Sequence, residues 1–464
     1  MIPLDPSPEQ MREMGEAALA YAIEFLRSRG EAPASRFEEA EAIARSYRNS
    51  PPEVGGEFSA LVELVDAIAR NSADNAGPGF LAYIPGGGLF ASSLADLLST
   101  TIDRFVNLWG EAPVAAQIED NVVRWLCDLF DYPPESRGVL TSGGSMANFS
   151  AIVSARKAKL PEDFLSGTLY VSEQAHASVA KAAMLAGFPG RNVRRVPVTP
   201  QMRLDVDAAR SMIREDRAAG LEPFALVASA GTTNTGAVDP IAACVDLAEE
   251  QGLWLHVDAA YGGFFRLTER GRALFGGIDR ADSITLDPHK GMFLPYGTGG
   301  LVVRDGAKLR AAHHAGQAAY LQDLGEDGHL PNFTEYSAEL SRDFRGLRVW
   351  FPLALHGVSA FRSALEEKLD LARILYEELC EVPELELPWE PELTVVPFRL
   401  RGGDDAANAR LLERINASKR VFLSSTVVGG RFTIRACILS HRTHEDRVRE
   451  CVQIVREAVA SLDR

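Results

Sequence analysis

Lysine is scarce in this chain of 464 residues: only seven of its 48 Lys and Arg residues are lysines. Lysine is therefore not the general surface cation here, and the position of each one calls for a reason. Cysteine is scarcer. Cys127, Cys244, Cys380, Cys437 and Cys451 are odd in number and contain no C-x-x-C pair, which argues against a zinc ribbon or dithiol motif and leaves small buried apolar residues as the expectation, with no metal site. No apolar run approaches the ~20 residues of a membrane span. The opening MIPLDPSPEQM lacks a basic stretch followed by an apolar one, so a cytoplasmic location with no membrane partner is expected. Positive charge is short overall: a formal net charge of −16 would repel phosphates over most of the surface, so no nucleic-acid partner is expected. What remains is ordinary globular composition, 46% apolar and 24% charged, in a chain long enough for two or more domains and a buried cofactor.

An amphipathic helix opens the chain, with Met14, Ala18, Tyr21, Ala22 and Phe25 on one face. It and the segments up to residue 88, broken at Pro51-Pro52, Gly55-Gly56 and Gly77-Pro78-Gly79, read as an arm rather than a self-contained core. The arm is expected to pack on a second subunit, burial on its own chain being the plainer alternative. From about residue 89, short apolar runs alternate with helical stretches. Strands are expected at 138–140, 169–171, 224–227, 254–257 and 283–286, with helices at 146–159 and 240–251, a pattern of βαβ units in a mainly parallel sheet. Functional groups then belong at the carboxyl ends of the strands. A helical region near 345–380 leads to expected strands at 394–398, 421–424 and 432–435 in a smaller α+β domain. The stretch 311–336, interrupted by His313, His314, Gly316, Gly325 and Gly328, is expected to be the most flexible.

Lys290 is the lysine with a chemical setting. Asp287-Pro288-His289-Lys290-Gly291-Met292 follows an apolar run and precedes a glycine-rich turn, a place for an amine that forms a Schiff base with a carbonyl cofactor such as pyridoxal phosphate. A solvated loop lysine is the alternative. Thr141-Ser142-Gly143-Gly144-Ser145-Met146-Ala147-Asn148 runs from a strand into a helix, where free N–H groups and the Ser145 hydroxyl suit a phosphate, although a plain helix cap reads the same way. The run is neither a Walker loop nor a G-x-S-x-G elbow. Asp258 ends a strongly apolar strand in His256-Val257-Asp258-Ala259-Ala260-Tyr261-Gly262-Gly263 and needs a cation. A protonated pyridine nitrogen supplies one; an arginine partner or a turn cap is the alternative. His176, just beyond 169–171, can stack on an aromatic cofactor and shuttle a proton, or serve structure alone. Gly231-Thr232-Thr233-Asn234-Thr235-Gly236 brings hydroxyls to the same edge.

In this order and spacing the motifs resemble the group II pyridoxal-phosphate decarboxylases of fold type I, which include aromatic-amino-acid, histidine and glutamate decarboxylases. The resemblance runs from Phe80-Leu81-Ala82-Tyr83 to Phe432-Thr433-Ile434-Arg435. It implies an N-terminal helical arm (1–88), a large α/β cofactor domain with a mainly parallel seven-stranded sheet (89–350) and a small C-terminal α+β domain (351–464). It implies that Lys290 carries pyridoxal 5'-phosphate, Asp258 meets the pyridine nitrogen and His176 stacks on the ring, these three being catalytic. Gly144, Ser145 and His289 then hold the phosphate, and Thr233 lies near the ring. Asp287 stands where many relatives carry an asparagine that contacts phosphate, and an anion cannot donate in that way. Arg435 matches an arginine near the active site that serves carboxylate recognition or lid closure. Tyr83 and Pro85 match pocket positions of the aromatic enzymes, whereas Ile84 and Asn107 stand where those often carry phenylalanine. A homodimer whose partner contributes pocket residues is implied as well.

The implied reaction converts an aromatic or other uncharged L-amino acid to its amine and CO2. Transamination uses the same lysine and aspartate, and the choice depends on which Cα bond stands perpendicular to the ring, which motifs do not encode. One departure matters. Family decarboxylases commonly carry a loop tyrosine that helps protonate the substrate carbanion, and ungapped alignment backwards from Phe344-Arg345-Gly346-Leu347 puts Phe333 there. Related enzymes with phenylalanine release an aldehyde, ammonia and peroxide, so an aldehyde synthase is the alternative unless Tyr320 or Tyr336 supplies the phenol. A catalytically silent regulatory homologue is a third reading, opposed by the joint retention of Lys290, Asp258 and His176.

Overall fold

Short apolar runs buried on both faces can satisfy their backbone groups only inside a sheet. In the computed structural model of the protein, which describes residues 4–314, 316 and 332–462, such runs form β1 (Arg137–Thr141), β2 (Gly167–Ser172), β3 (Val193–Val196), β4 (Glu222–Ser229), β5 (Trp254–Asp258), β6 (Ser283–Leu286) and β7 (Gly299–Val303). They make one sheet in the order β1-β7-β6-β5-β4-β2-β3. Of these only β7 runs antiparallel to its neighbours. The five expected strands are present. β3 and β7 escape the sequence pattern: β3 reads Val-Arg-Arg-Val at the sheet edge, with Arg195 exposed, and β7 begins on Gly299-Gly300, which reads as a turn. A side chain at 299 would bring its Cβ within 2.5 Å of the Gly143 backbone, so glycine there is a requirement of close packing.

Ahead of the sheet run α1 (Pro8–Arg27), α2 (Ala40–Ser46), α3 (Phe58–Arg70), α4 (Phe90–Ile102) and α5 (Pro113–Asp128). Among and after its strands come α6 (Gly144–Lys159), α7 (Ala177–Leu185), α8 (Val206–Ala218), α9 (Ile241–Gln251), α10 (Glu269–Leu274), α11 (Pro288–Gly291) and α12 (Gly306–His313). Strand alternation divides the apolar side chains between two layers. Leu140, Tyr170, Leu226, Leu255 and Ile284 join residues of α5, α8 and α9 in one core, while Val139, Leu169, Val227 and Leu301 join α6 and α7 in the other. Both faces are thus covered, as a parallel sheet requires.

α13 (Arg345–Cys380) bends at Gly357, whose φ is 72°. Leu365 and Leu369 still pack in the first core, and Leu371, Leu375 and Leu379 belong to a separate one. That second core lies under β8 (Leu385–Glu386), β9 (Val395–Leu400), β10 (Ser424–Val428) and β11 (Arg431–Cys437), an antiparallel sheet in the order β10-β11-β9-β8 with α14 (Asp405–Ala417) and α15 (Glu445–Ala460). The strand expected at 421–424 begins instead at Ser424: Val421 and Leu423 are buried, but the run pairs only by a single bridge between Phe422 and Phe80. The hairpin signal was Gly429-Gly430, both at positive φ, between Val428 and Arg431.

α1 is well formed by local chemistry, with Pro8 in its first turn and a capping box between Ser7 and Gln10. None of its residues is fully buried. Tyr21 and Phe25 face Leu61, Val65 and Phe90 across an apolar groove of about 520 Å³. All five cysteines are free, four of them buried and Cys380 exposed. Among the described residues no helix is long and apolar enough to cross a membrane. Tyr320, Gly325 and Gly328 lie outside the described residues; Phe333–Glu335 form a helical turn.

Candidate active site

The carboxyl ends of β1, β2, β4, β5 and β6 deliver residues to one cavity of about 270 Å³. β1 leads through Ser142 and Gly143 into α6, where the Met146 and Ala147 N–H groups donate to Gly143 O and those of Gly144 and Ser145 have no acceptor among the described residues. A Cβ at Gly144 would lie 3.0 Å from Asp287 Oδ2 and 3.1 Å from Ala260 Cβ. The cavity can open onto the helix end only because that side chain is missing. Ser145, His176, Thr233, Asp258, Asp287, His289 and Lys290 all line the same space, so each residue expected to hold or activate the cofactor is in one place.

Asp258, at the end of β5, is 7% exposed and has no ion-pair partner among the described residues. Its carboxylate instead accepts from Asn148 Nδ2 (3.0 Å) and from the Ala260 N–H (3.2 Å). Two neutral donors leave a buried charge uncompensated, so a cationic group entering the cavity gains what an arginine would otherwise supply. The arginine alternative is thereby set aside. His176 caps α7: its Nδ1 accepts from the Ser178 N–H at 3.2 Å and lies 2.7 Å from Ser178 Oγ.

Lys290 lies in α11, the single turn that follows β6. Its Nζ is 3.0 Å from Asp287 Oδ2, and His289 Nε2 is 3.6 Å from the same oxygen. Asp287 Oδ1 is buried without a hydrogen-bond donor. The Asp287 carboxylate therefore holds the amine beside the mouth of α6, next to the imidazole. His289 donates from Nδ1 to Thr298 O at 2.6 Å, and burial lowers its pKa. Tyr261 also reaches the cavity, but its hydroxyl is bonded to the Thr394 N–H and Oγ1.

The expected substrate residues are elsewhere: none of Tyr83, Pro85, Asn107, Phe333 and Arg435 is in this lining. Arg435 donates to Tyr83 O (2.8 Å) and Ser424 Oγ (3.1 Å), clamping a peptide whose φ of 53° is unusual for tyrosine. Asn107, 1% exposed, accepts from Arg342 and donates to the carbonyls of Glu339 and Leu340. Phe333 is 2% exposed and lies under the Arg342 guanidinium, 5.2 Å from the ring centre. Pro85 is buried, whereas the Tyr83 side chain is 61% exposed. Sequence reading missed Asn148, Ser178 and His256 although all three lie inside or beside quoted motifs. The available signals were a polar residue on the apolar side of α6, among Ala147, Ala151 and Ile152, and the i, i+2 spacing that puts His256 on the same strand face as Asp258.

This donor set fits pyridoxal 5'-phosphate: a helix end with Gly144, Ser145 and His289 for the phosphate, an uncompensated carboxylate for the ring nitrogen, and an amine for the aldehyde. Comparison with known proteins agrees. Residues 57–401 match the pyridoxal-dependent decarboxylase conserved domain. An aromatic-L-amino-acid decarboxylase of Bacillus atrophaeus is 32% identical over 463 residues, covering 98% of this chain and 96% of its own. The Oryza sativa TDC crystallised with PLP and tryptamine superposes with a TM-score of 0.93 at 26% identity, covering 100% of this chain and 99% of that one. A Rhodiola rosea 4-hydroxyphenylacetaldehyde synthase has a TM-score of 0.91 at 24% identity over 99% of each chain, a likeness of fold alone. The chain belongs to the pyridoxal-dependent decarboxylase family and is a pyridoxal-phosphate-dependent lyase acting on amino acids.

Proposed function

We propose that the protein decarboxylates an L-amino acid with an aromatic or other uncharged side chain, releasing the amine and CO2. The observation that carries this reading is the meeting of Lys290, Asp258 and His176 at one cavity in a chain 32% identical to an aromatic-L-amino-acid decarboxylase. When bound, pyridoxal phosphate supplies a conjugated ring that accepts the electron pair left as CO2 departs. Lys290 supplies the amine that holds the cofactor and gives way to the substrate amine. Asp258 binds the ring nitrogen by charge, and His176 covers the ring and moves a proton. Gly144, Ser145 and His289 hold the phosphate, with Thr233 beside the ring.

The alignment of Phe333 with the family's loop tyrosine supports a second reading, an aldehyde synthase, because a phenyl ring cannot donate a proton; in this chain the ring packs under Arg342 outside the cavity lining. Tyr336 is half-buried against the core that contains Val139, and Tyr261 has its hydroxyl committed to Thr394. Screening amino acids for CO2 release with parallel oxygen uptake separates the two. Amine formation without oxygen consumption is the expected result; oxygen and CO2 in matched amounts would overturn it, and Phe333→Tyr should then shift product toward amine.

We also propose a cytoplasmic homodimer with its active sites near the subunit boundary, built from the three units 1–88, 89–350 and 351–464. Five unpaired cysteines support the reducing compartment. α1 and α3 support the dimer: Leu61, Val65, Leu19 and Ile23 are about half exposed, an apolar surface that a second arm would cover, and Tyr83 stands equally open. Light scattering at catalytic concentrations is expected to give the mass of two chains, and a monomer with full turnover would contradict the assembly.

A further inference from the structure

A primary amide has two donor hydrogens and two acceptor lone pairs, and Asn148 uses all four. It is 1% exposed on α6. Its Oδ1 lies 2.8 Å from Thr285 Oγ1 and 3.0 Å from His256 Nε2, and its Nδ2 lies 3.0 Å from Asp258 Oδ2 and 2.9 Å from Ser178 Oγ. The direction of these bonds follows from one group that can only accept. The Asp258 carboxylate takes an Asn148 Nδ2 hydrogen, so Oδ1 faces Thr285 and His256, and His256 Nε2 carries the hydrogen that it donates to Oδ1. His256 Nδ1 is then bare and accepts from the Ser283 hydroxyl at 2.8 Å, whose oxygen accepts from Trp254 Nε1–H at the same distance. Burial lowers the His256 pKa and keeps the ring neutral, consistent with this tautomer. The Asn148 amide cannot flip without facing two donors with a third. Its N–H groups are left to Asp258 and Ser178, and Ser178, having accepted, turns its own proton to His176 Nδ1.

We propose that Asn148 is a positioning residue that holds the Asp258 carboxylate and, through Ser178 Oγ, reinforces the His176 tautomer with Nδ1 bare and Nε2 protonated that the Ser178 N–H also requires. One buried amide thus aligns the group that meets the cofactor's nitrogen with the group that covers its ring, and His176 presents a donor at Nε2. This rests on the assignment of Asp258 and His176 to the cofactor. It adds a one-way chain of donors, Trp254 to Ser283 to His256 to Asn148 to Ser178 to His176, whose direction is anchored where Asn148 meets the Asp258 carboxylate.

The test titrates the full-length protein, first stripped of cofactor, with pyridoxal phosphate and records 15N-histidine spectra of the reloaded enzyme, the His176 signal being assigned by its loss in His176→Gln. Wild type is expected to show a single Nε2–H tautomer at His176. Asn148→Asp, nearly isosteric, should raise the cofactor Kd by about tenfold by setting a second carboxylate against Asp258, and should shift the His176 ring signals as the Ser178 hydroxyl turns away from Nδ1. Ser178→Ala should shift those signals too and raise the Kd less than Asn148→Asp does, since it leaves the Asp258 contact in place. A mixed or Nδ1–H tautomer in wild type, or an Asn148→Asp protein with wild-type Kd and wild-type His176 signals, overturns the proposal. Asp258→Asn is the reference: if it lowers affinity and Asn148→Asp does not, the positioning role alone fails. If Asp258→Asn also binds normally, the cofactor assignment fails with it.

Discussion

Replacing Lys290 with alanine is expected to reduce turnover by ~10³-fold or more and to remove the absorbance of the lysine-bound cofactor. The size of the effect follows from the scarcity of substitutes. None of the other six lysines lines the cavity, so no second amine is in position to take over the covalent attachment. Lys290 Nζ is held 3.0 Å from Asp287 Oδ2 at the end of β6, a position set by the turn Pro288–Gly291. Some cofactor should remain bound through the α6 end and Asp258, which separates loss of chemistry from loss of binding. An absorbance scan, borohydride trapping and peptide mapping would check the assignment. Labelling at a different lysine, or normal steady-state turnover by the variant, would remove Lys290 from its role.

Asp258→Asn should lower kcat/KM by about 10²-fold or more, because an amide cannot balance the charge on a protonated ring nitrogen. Geometry should survive the change. The new amide can turn its oxygen to Asn148 Nδ2, preserving that 3.0 Å contact, and gives up the bond from the Ala260 N–H, a loss of about 1 kcal/mol that the fold is expected to tolerate. The loss is then electrostatic, and Asp258→Glu, which restores charge at the wrong reach, should recover little. Steady-state kinetics with a cofactor titration and a thermal melt distinguish the cases. Unchanged kinetics in the asparagine variant would reduce Asp258 to a structural residue.

The parts of the site legible in the sequence are those written in contiguous stretches. The runs before Ser142, Asp258 and Asp287 are apolar enough to be strands, and the residues that follow them therefore arrive at one edge of a parallel sheet. Elements whose reason lies in a distant neighbour were not legible. β7 is a strand because Gly299 can touch Gly143, and β10 alternates so weakly that its apolar approach, Val421 to Leu423, reads as the strand instead. The substrate residues carried by resemblance met the same limit. Asn107 and Phe333 are committed to Arg342, itself paired with Glu119 where both side chains are fully buried. Arg435 is committed to Tyr83.

The sequence by itself determined five of the seven strands of the large sheet and their order along the chain, and it brought Lys290, Asp258 and the start of α6 forward as candidates, since each depends on spacing within a few residues. Tertiary structure alone decided how those groups are held. Asn148, Ser178, His256, Asp258 and Thr285 come from α6, α7, β5 and β6. Beyond the i, i+2 spacing of His256 and Asp258, no local pattern relates them, because a hydrogen bond requires partners within about 3 Å and a defined direction, and only the folded chain brings distant donors and acceptors to that separation.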